Sequence, residues 1–311
     1  MQSPGTLRAR RAALCAWLVV TASLVSGTAD SWAVSKKGPA KVPSPETARN
    51  PFRTGRPLII PHAGGDGLYP ENTMVAWDAS MAAGGDVVDI DVSMSSDGVL
   101  VAIHDPTVDR TTNGTGKVST KTYGELAELD AAFRFKRNGK FPYRGRNVRI
   151  PTVGDVLKRF PDSLVTLDLK DHTRKSVAVV CGLVSKLKRA DSVYVGVDID
   201  EQVTEFRKRC PGVRTSGTST ERRAMRAARE AGDERFVTRQ LVSQPPYIGD
   251  DGQKRVTAES LAFSHKHNVA VLTWVVDDPK DLADLIALGV DGIYTRRPDL
   301  MLKILEAKGL R

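Results

Sequence analysis

The chain has 311 residues, 41% of them hydrophobic and 27% charged, a balance that suits a folded domain with a sizeable core and excludes a fibrous or wholly disordered chain. Its formal charge is +9, from 46 Lys and Arg against 37 Asp and Glu; residues 1–33 hold three Arg and one Asp, which leaves +7 on the remainder. A basic surface of this kind favours anionic partners such as lipid head groups or cell-wall phosphate polymers, and with no known nucleic-acid-binding motif beside it, nucleic acid is not expected.

At the N-terminus, Arg8, Arg10 and Arg11 precede an apolar run from Ala12 to Val25, and small residues suited to cleavage follow near Ala29 and Ala33. This is the pattern of an export signal; the run is shorter than the ~20 residues that a membrane span needs. The expected organisation is therefore a signal peptide over 1–33, a Lys-, Pro- and Ser-rich linker over 34–56 and one exported soluble domain over 57–311, an uncleaved anchor helix being the alternative. Cys15 leaves with the signal. The exported chain then keeps Cys181 and Cys210, which outside the cytoplasm are either one disulfide or two buried thiols.

Short β-rich runs alternate with helical patterns beyond that point. Leu58-Ile59-Ile60 reads as a brief buried strand. Residues 72–83 read as a helix, opened by Pro70-Glu71-Asn72-Thr73 and closed by Gly84-Gly85. Two strands follow, Asp86–Ser93 and Val99–His104, with the turn Ser96-Asp97-Gly98 between them. Residues 105–150 lack alternation and read as an insertion. A helix over 152–160, a strand Ser163–Lys170, a helix over 174–189, a strand Val193–Asp198 and a helix over 200–209 come next. A strand near Val213–Ser216, a helix over 220–231, a strand over 235–240 and a helix over 257–267 continue the beat. It closes with a strand Ala270–Val276, a helix over 279–288, a strand Gly292–Thr295 and a helix over 299–307. Alternation of this kind implies a parallel sheet with right-handed crossovers, and about eight units in ~250 residues match a closed (β/α)8 TIM barrel with a small insertion after the third strand. An open doubly wound sheet is the alternative, but no Gly-x-Gly-x-x-Gly turn follows the first strand.

Chemistry-bearing residues gather where the strands end. The first strand runs into Pro61-His62-Ala63-Gly64-Gly65, and the second contains Asp89-Ile90-Asp91, alternate residues on one face. Two unpaired carboxylates turned into a barrel would repel each other and resist desolvation. A divalent cation resolves that conflict, and oxygen-only ligation favours Ca²⁺ or Mg²⁺. Ile103-His104-Asp105 ends the next strand, and Leu167-Asp168-Leu169-Lys170 again sets an acid and a base on one face. Taken singly, each has a plain structural reading: a solvated strand face, a hydrogen-bonded histidine, or a Lys170–Asp168 pair.

Together these residues resemble the glycerophosphodiester phosphodiesterases. That family carries His-Arg-Gly, Pro-Glu-Asn-Thr, Glu-x-Asp, an Asp-Gly turn, His-Asp and Arg-Thr-Thr-x-Gly-x-Gly, then a later Glu-x-Lys and a Trp. Here the same order gives His62-Ala63-Gly64, Pro70-Glu71-Asn72-Thr73, Asp89-Ile90-Asp91, Asp97-Gly98, His104-Asp105 and Arg110-Thr111-Thr112-Asn113-Gly114-Thr115-Gly116, then Asp168-Leu169-Lys170 and Thr273-Trp274. The resemblance spans roughly 57–305. It implies His62 and His104 as the general acid–base pair, suited by an imidazole pKa near neutrality. It implies Glu71, Asp89, Asp91 and Asp168 as carboxylates for one divalent ion, Lys170 as a phosphate contact and Trp274 as an apolar wall beside the alcohol. The insertion over 105–150 would shape access to the barrel mouth.

Three departures bear on that reading. Asp89 and Asp168 replace Glu and are one methylene shorter. Ala63 replaces the arginine expected to grip the phosphate. Arg296 stands where the family carries Asp in a Thr-Asp-x-Pro ending, at the end of the last strand. That strand neighbours the first in a closed barrel, so Arg296 is expected either to reach the phosphate in place of the missing arginine or to pair with Asp299. The activity implied is hydrolysis of a small or polymeric glycerophosphodiester to an alcohol and glycerol 3-phosphate by a secreted enzyme of lipid metabolism. Two other readings stand beside it: a phospholipase D-like lipid phosphodiesterase, and a catalytically impaired phosphopolyol-binding relative.

Overall fold

The computed structural model describes residues 50–171 and 173–311, which belong to one compact unit, Lys41–Arg311. The expected export signal and most of the expected linker lie outside the described residues. Among the described residues no helix is long and apolar enough to cross a membrane.

The elements run β1 (Leu58–Pro61), α1 (Met74–Ala82), β2 (Val87–Met94), β3 (Leu100–Ala102), α2 (Tyr123–Ala127), α3 (Val153–Arg159), β4 (Leu164–Leu169), α4 (Arg174–Lys186), β5 (Val193–Gly196) and α5 (Asp200–Arg209). They continue with β6 (Arg214–Thr215), α6 (Ser219–Glu230), β7 (Val242–Ser243), α7 (Ala258–Lys266), β8 (Ala270–Thr273), α8 (Pro279–Leu288), β9 (Gly292–Thr295) and α9 (Pro298–Ala307). Strands β2, β4, β5 and β6 pair in parallel in that order, and so do β7, β8, β9 and β1. A parallel bridge between Ser216 and Val242 joins the two runs on one side. On the other, Asp86 N donates to Ile59 O at 2.9 Å beside the entry to β2. The result is a (β/α)8 barrel of eight parallel strands.

Two strands differ from the sequence expectation. β3 is not part of the barrel wall: it pairs antiparallel with β2, Val92 opposite Ala102, so the Ser96-Asp97-Gly98 turn makes a hairpin that leads into the insertion. The strand expected over 235–240 forms instead at Val242–Ser243, with Val237 74% exposed. Parallel pairing to Ala270 and Val271 fixes that position, a non-local constraint that local β propensity does not carry.

Strand alternation sorts the side chains. Val88, Ile90, Val92 and Met94 of β2 point outward into the core beneath α3, α4 and α5, while Val87 joins Leu58, Ile60, Tyr194, Val242, Leu272 and Tyr294 inside the barrel. Asp89 and Asp91 occupy the remaining inward positions, nearer the C-terminal end where a barrel opens. Phe52 belongs to the interior core and is fully buried. Asn50 donates to Leu241 O at 2.7 Å and to Asn268 O at 2.9 Å, at the N-terminal ends of β7 and β8. The last residues of the expected linker therefore pack under the barrel floor. Residues 105–150 hold a small apolar core of their own, including Val108, Val118, Leu126 and Ile150. Cys181 on α4 and Cys210 after α5 form a disulfide with Cα atoms 5.8 Å apart, within the usual bonding range.

Candidate active site

At the C-terminal mouth lies a cavity of about 550 Å³. His62, Asp89, Asp91, His104, Asp168 and Lys170 line it, with Trp274 and Arg296 across from them. Of the residues singled out from the sequence, only Glu71 does not line this cavity.

The turn after β1 places His62. Ala63, Gly64 and Gly65 all take positive φ, 47°, 88° and 88°. A Cβ on Gly64 would stand 2.8 Å from the Ala76 Cβ, so this backbone passes too close to α1 for any larger residue. The turn aims Ala63 N at Asp89 Oδ2, 2.9 Å away. His62 Nδ1 meets Asp66 Oδ1 at 3.1 Å. Burial opposes charge on this imidazole, but the Asp66 hydrogen bond and the charges of Asp89, Asp66 and Asp91 outweigh it and raise its pKa to about 9.

The Pro-Glu-Asn-Thr run performs three separate tasks. Thr73 caps α1, its hydroxyl accepting from Ala76 N at 3.3 Å. Asn72, at φ 53°, donates to Asp91 Oδ2 at 2.7 Å and accepts from Asp91 N at 3.1 Å, which holds that residue by both its carboxylate and its backbone amide. Glu71 turns to Arg110 in a bidentate pair of 2.6 and 2.7 Å. Arg110 also holds Asp105 at 2.7 and 3.0 Å, and these carboxylates raise its pKa well above the usual arginine value. Asp105 in turn meets His104 Nδ1 at 2.8 Å. With Nδ1 occupied as the donor, Nε2 of His104 is the nitrogen left to exchange a proton. Because β3 lies on the hairpin, His104 reaches the mouth from beside the wall rather than from a barrel strand.

The carboxylates divide into two environments. Asp89 is buried, accepting from Thr166 Oγ1 at 2.5 Å as well as from Ala63 N. Burial first, then repulsion from Asp91, lifts its pKa to about 6. Asp91 and Asp168 are register partners on β2 and β4 and share one cation, Lys170 Nζ, at 3.2 and 2.7 Å. Burial opposes the charge on Lys170, but these carboxylates dominate and raise its pKa above the ordinary lysine value. Among the described residues no group of three or more His, Cys, Asp or Glu side chains is gathered to hold a metal ion. The expected set of four is not assembled: Glu71 is engaged by Arg110, and Asp89 is drawn back to Ala63 and Thr166. Asp91 and Asp168 do fit a hard cation, because they are oxygen donors already converged on one positive atom.

Trp274 is 44% exposed, its indole N–H donating to Gln244 O at 2.8 Å, which stands the ring at the cavity edge. β1 and β9 are neighbours, Pro61 opposite Thr295, as the reading of Arg296 requires. Arg296 lies 3.5 Å from Asp66 and 3.7 Å from Asp277, whereas Asp299 is taken by Arg297 at 2.8 Å. Asp66, Asn72, Asp105, Arg110, Thr166 and Asp277 were not singled out from the sequence. Only Asn72, Asp105 and Arg110 carried a signal, as members of the motifs around Glu71, His104 and Thr111.

The family model described as the glycerophosphoryl diester phosphodiesterase family matches residues 62–300. A glycerophosphodiester phosphodiesterase of Caldanaerobacter subterraneus subsp. tengcongensis is 30% identical over 268 residues, covering 81% of this chain and 99% of that protein. One of Bacillus altitudinis is 29% identical and covers 80% of this chain and 98% of its own. The crystal structure of a glycerophosphodiester phosphodiesterase from Agrobacterium tumefaciens superposes with a TM-score of 0.65 at 25% identity, covering 79% of this chain and 99% of that one.

Proposed function

This chain belongs to the glycerophosphoryl diester phosphodiesterase family of phosphoric diester hydrolases, and we propose that it acts outside the cytoplasm, cleaving a glycerophosphodiester to an alcohol and glycerol 3-phosphate. The observation that carries this reading is the convergence of His62, His104 and the Asp91–Lys170–Asp168 triad on one cavity. His62, with its pKa near 9, is protonated at neutral pH and is the proton donor to the departing alkoxide. His104, with Nδ1 on Asp105, takes a proton from the attacking water at Nε2. The P–O bond to the alcohol breaks as the new P–O bond forms, and each histidine ends in the other's starting state.

Lys170 places positive charge against the phosphate, and Trp274 packs against the alcohol. Arg296 takes the part of the arginine that Ala63 does not supply, from the strand beside β1. Asp91 and Asp168 would hold one Ca²⁺ or Mg²⁺ ion, which when bound would supply charge to a phosphate oxygen. The signal pattern over 1–33 and the charge of +7 on the remainder support an extracytoplasmic enzyme beside anionic surfaces.

The test is release of glycerol 3-phosphate from glycerophosphocholine. Wild type turns over, EDTA abolishes turnover and Ca²⁺ or Mg²⁺ restores it. His62→Ala and His104→Ala each lower kcat by about 10²–10⁴-fold, and Arg296→Ala lowers kcat/KM by about tenfold or more. Chelator-insensitive turnover removes the cation from this reading, and unaltered kinetics in Arg296→Ala remove the arginine.

A further inference from the structure

A second cavity of about 300 Å³ lies between α6 and α7. Five arginines line it: Arg222, Arg223, Arg226 and Arg229 from α6, and Arg255 from the segment before α7. No carboxylate is among its lining residues. Met225, Phe263, Val271, Pro245 and Pro246 give it apolar surface between the guanidinium groups.

Five like charges around one concavity repel one another, and the low-dielectric wall focuses their field. Their internal partners only partly relieve this. Arg222 meets Asp198 at 3.4 Å, Arg229 meets Glu230 at 3.2 Å and Arg255 meets Asp251 at 2.6 Å. Among the described residues Arg223 donates to the Thr220 hydroxyl, at 3.1 Å, with the Asp200 carboxylate near enough to feel its charge. Arg226 enters no ion pair or hydrogen bond among the described residues. Guanidinium forks match phosphate oxygens in pairs, and the apolar patches suit short carbon segments between phosphates.

The groove adjoins the active-site cavity. Arg222 lines both, fixed by donation to Gly217 O at 2.6 Å and to Ser219 Oγ at 2.8 Å. The end of β7 and the loop after it form a common wall: Gln244 lines the active site, while Ser243, Pro245 and Pro246 line the groove. A substrate chain leaving the reaction site past Arg222 enters the arginine cluster. We infer that this groove is a subsite for a further phosphate of a substrate that carries several, so that the favoured substrate class is an oligo(glycerol phosphate) rather than a single head-group diester. The inference rests on the reading of the active site given above.

The experiment compares glycerophosphocholine, with one phosphodiester, and bis(glycerophospho)glycerol, with two, using wild type, Arg226→Ala and Arg223→Ala/Arg226→Ala. Wild type is expected to show the higher kcat/KM for the two-phosphate substrate. Arg226→Ala should raise KM for that substrate about tenfold, as loss of one charge-assisted contact implies, and leave both constants for glycerophosphocholine unchanged. The double variant should go further in the same direction. Equal effects on both substrates, or none on either, overturn the subsite. If wild type turns over neither substrate, the active-site reading fails on its own, and calorimetric titration with inorganic tripolyphosphate tests the groove separately. Weaker binding by Arg226→Ala upholds a phosphate site; equal binding overturns it. Tighter binding of single-stranded oligothymidylate than of bis(glycerophospho)glycerol overturns the substrate class.

Discussion

His62 and His104 share one chemical arrangement, an imidazole Nδ1 held by an aspartate, in two environments. The His104–Asp105 pair is half-exposed and carries a third partner, Arg110, which balances the aspartate charge. The His62–Asp66 pair is more enclosed and faces Asp89 and Asp91, with Arg296 at 3.5 Å from Asp66. The excess of negative charge makes the folded metal-free protein bind the His62 proton more tightly than the unfolded chain does. Its folded pKa of about 9 lies above the ordinary value of 6.5, so the stabilisation is fully present below pH ~6.5 and is lost as pH rises through ~9. In EDTA-treated protein the Tm advantage of wild type over His62→Gln should therefore shrink between pH 6.5 and 9.5, measured by circular dichroism. A difference that stays constant over that range would refute the assignment. At this scale the histidines and inward aspartates were legible through their joint placement at successive strand ends and the order of their motifs, since each alone has a plain structural reading. Asp66 was not: within Gly64-Gly65-Asp66-Gly67 it reads as turn chemistry, and its part is to hold another residue.

Helices were more legible than strands, because their boundaries are written in local chemistry. α8 shows why: Asp278 accepts from Lys280 N and Asp281 N at 2.9 and 3.0 Å, Pro279 occupies the first turn, and Gly289 ends the helix at φ 83°. β6 and β7 have two residues each, too few for a period, and their positions depend on partners twenty or more residues away. The disulfide belongs to the same class of information. Cys181 and Cys210 are 29 residues apart, and only the packing of α4 against α5 shows that they meet. Closing a loop of that length restricts the unfolded chain by about 3–4 kcal/mol in the chain-entropy account. Cys181→Ser, or reduction with dithiothreitol, should lower the urea-unfolding free energy toward that amount while leaving turnover of the folded enzyme unaffected. An unchanged urea midpoint would show that the bond carries no stability.

Across the whole barrel, the two ends have separate duties. The C-terminal mouth gathers the polar layer and leaves Asp89 buried and Asp168 half-exposed; such arrangements cost stability and are kept for chemistry. The opposite end must then be sealed, since an open floor would admit water to Leu58, Ile60, Val87 and Leu272. The segment from Asn50 to Arg53 closes it, with Phe52 edge-on to Tyr194 at a centroid distance of 4.9 Å. Its composition gave no sign of this, because Pro, Lys and Ser dominate the stretch before it and one phenylalanine makes no period. Phe52→Ala should therefore act as a core truncation and not as a change in a tether, costing about 3–5 kcal/mol of unfolding free energy. Tyr194, on whose ring Phe52 rests, hydrogen-bonds through its hydroxyl to Tyr294, and Tyr294 accepts from Gln244 at the active-site wall at 2.8 Å. A floor defect that stays local leaves kcat/KM within about twofold of wild type, which is the expected outcome. A large loss of kcat/KM in protein shown to be folded would mean instead that the tyrosine pair transmits the defect from floor to mouth.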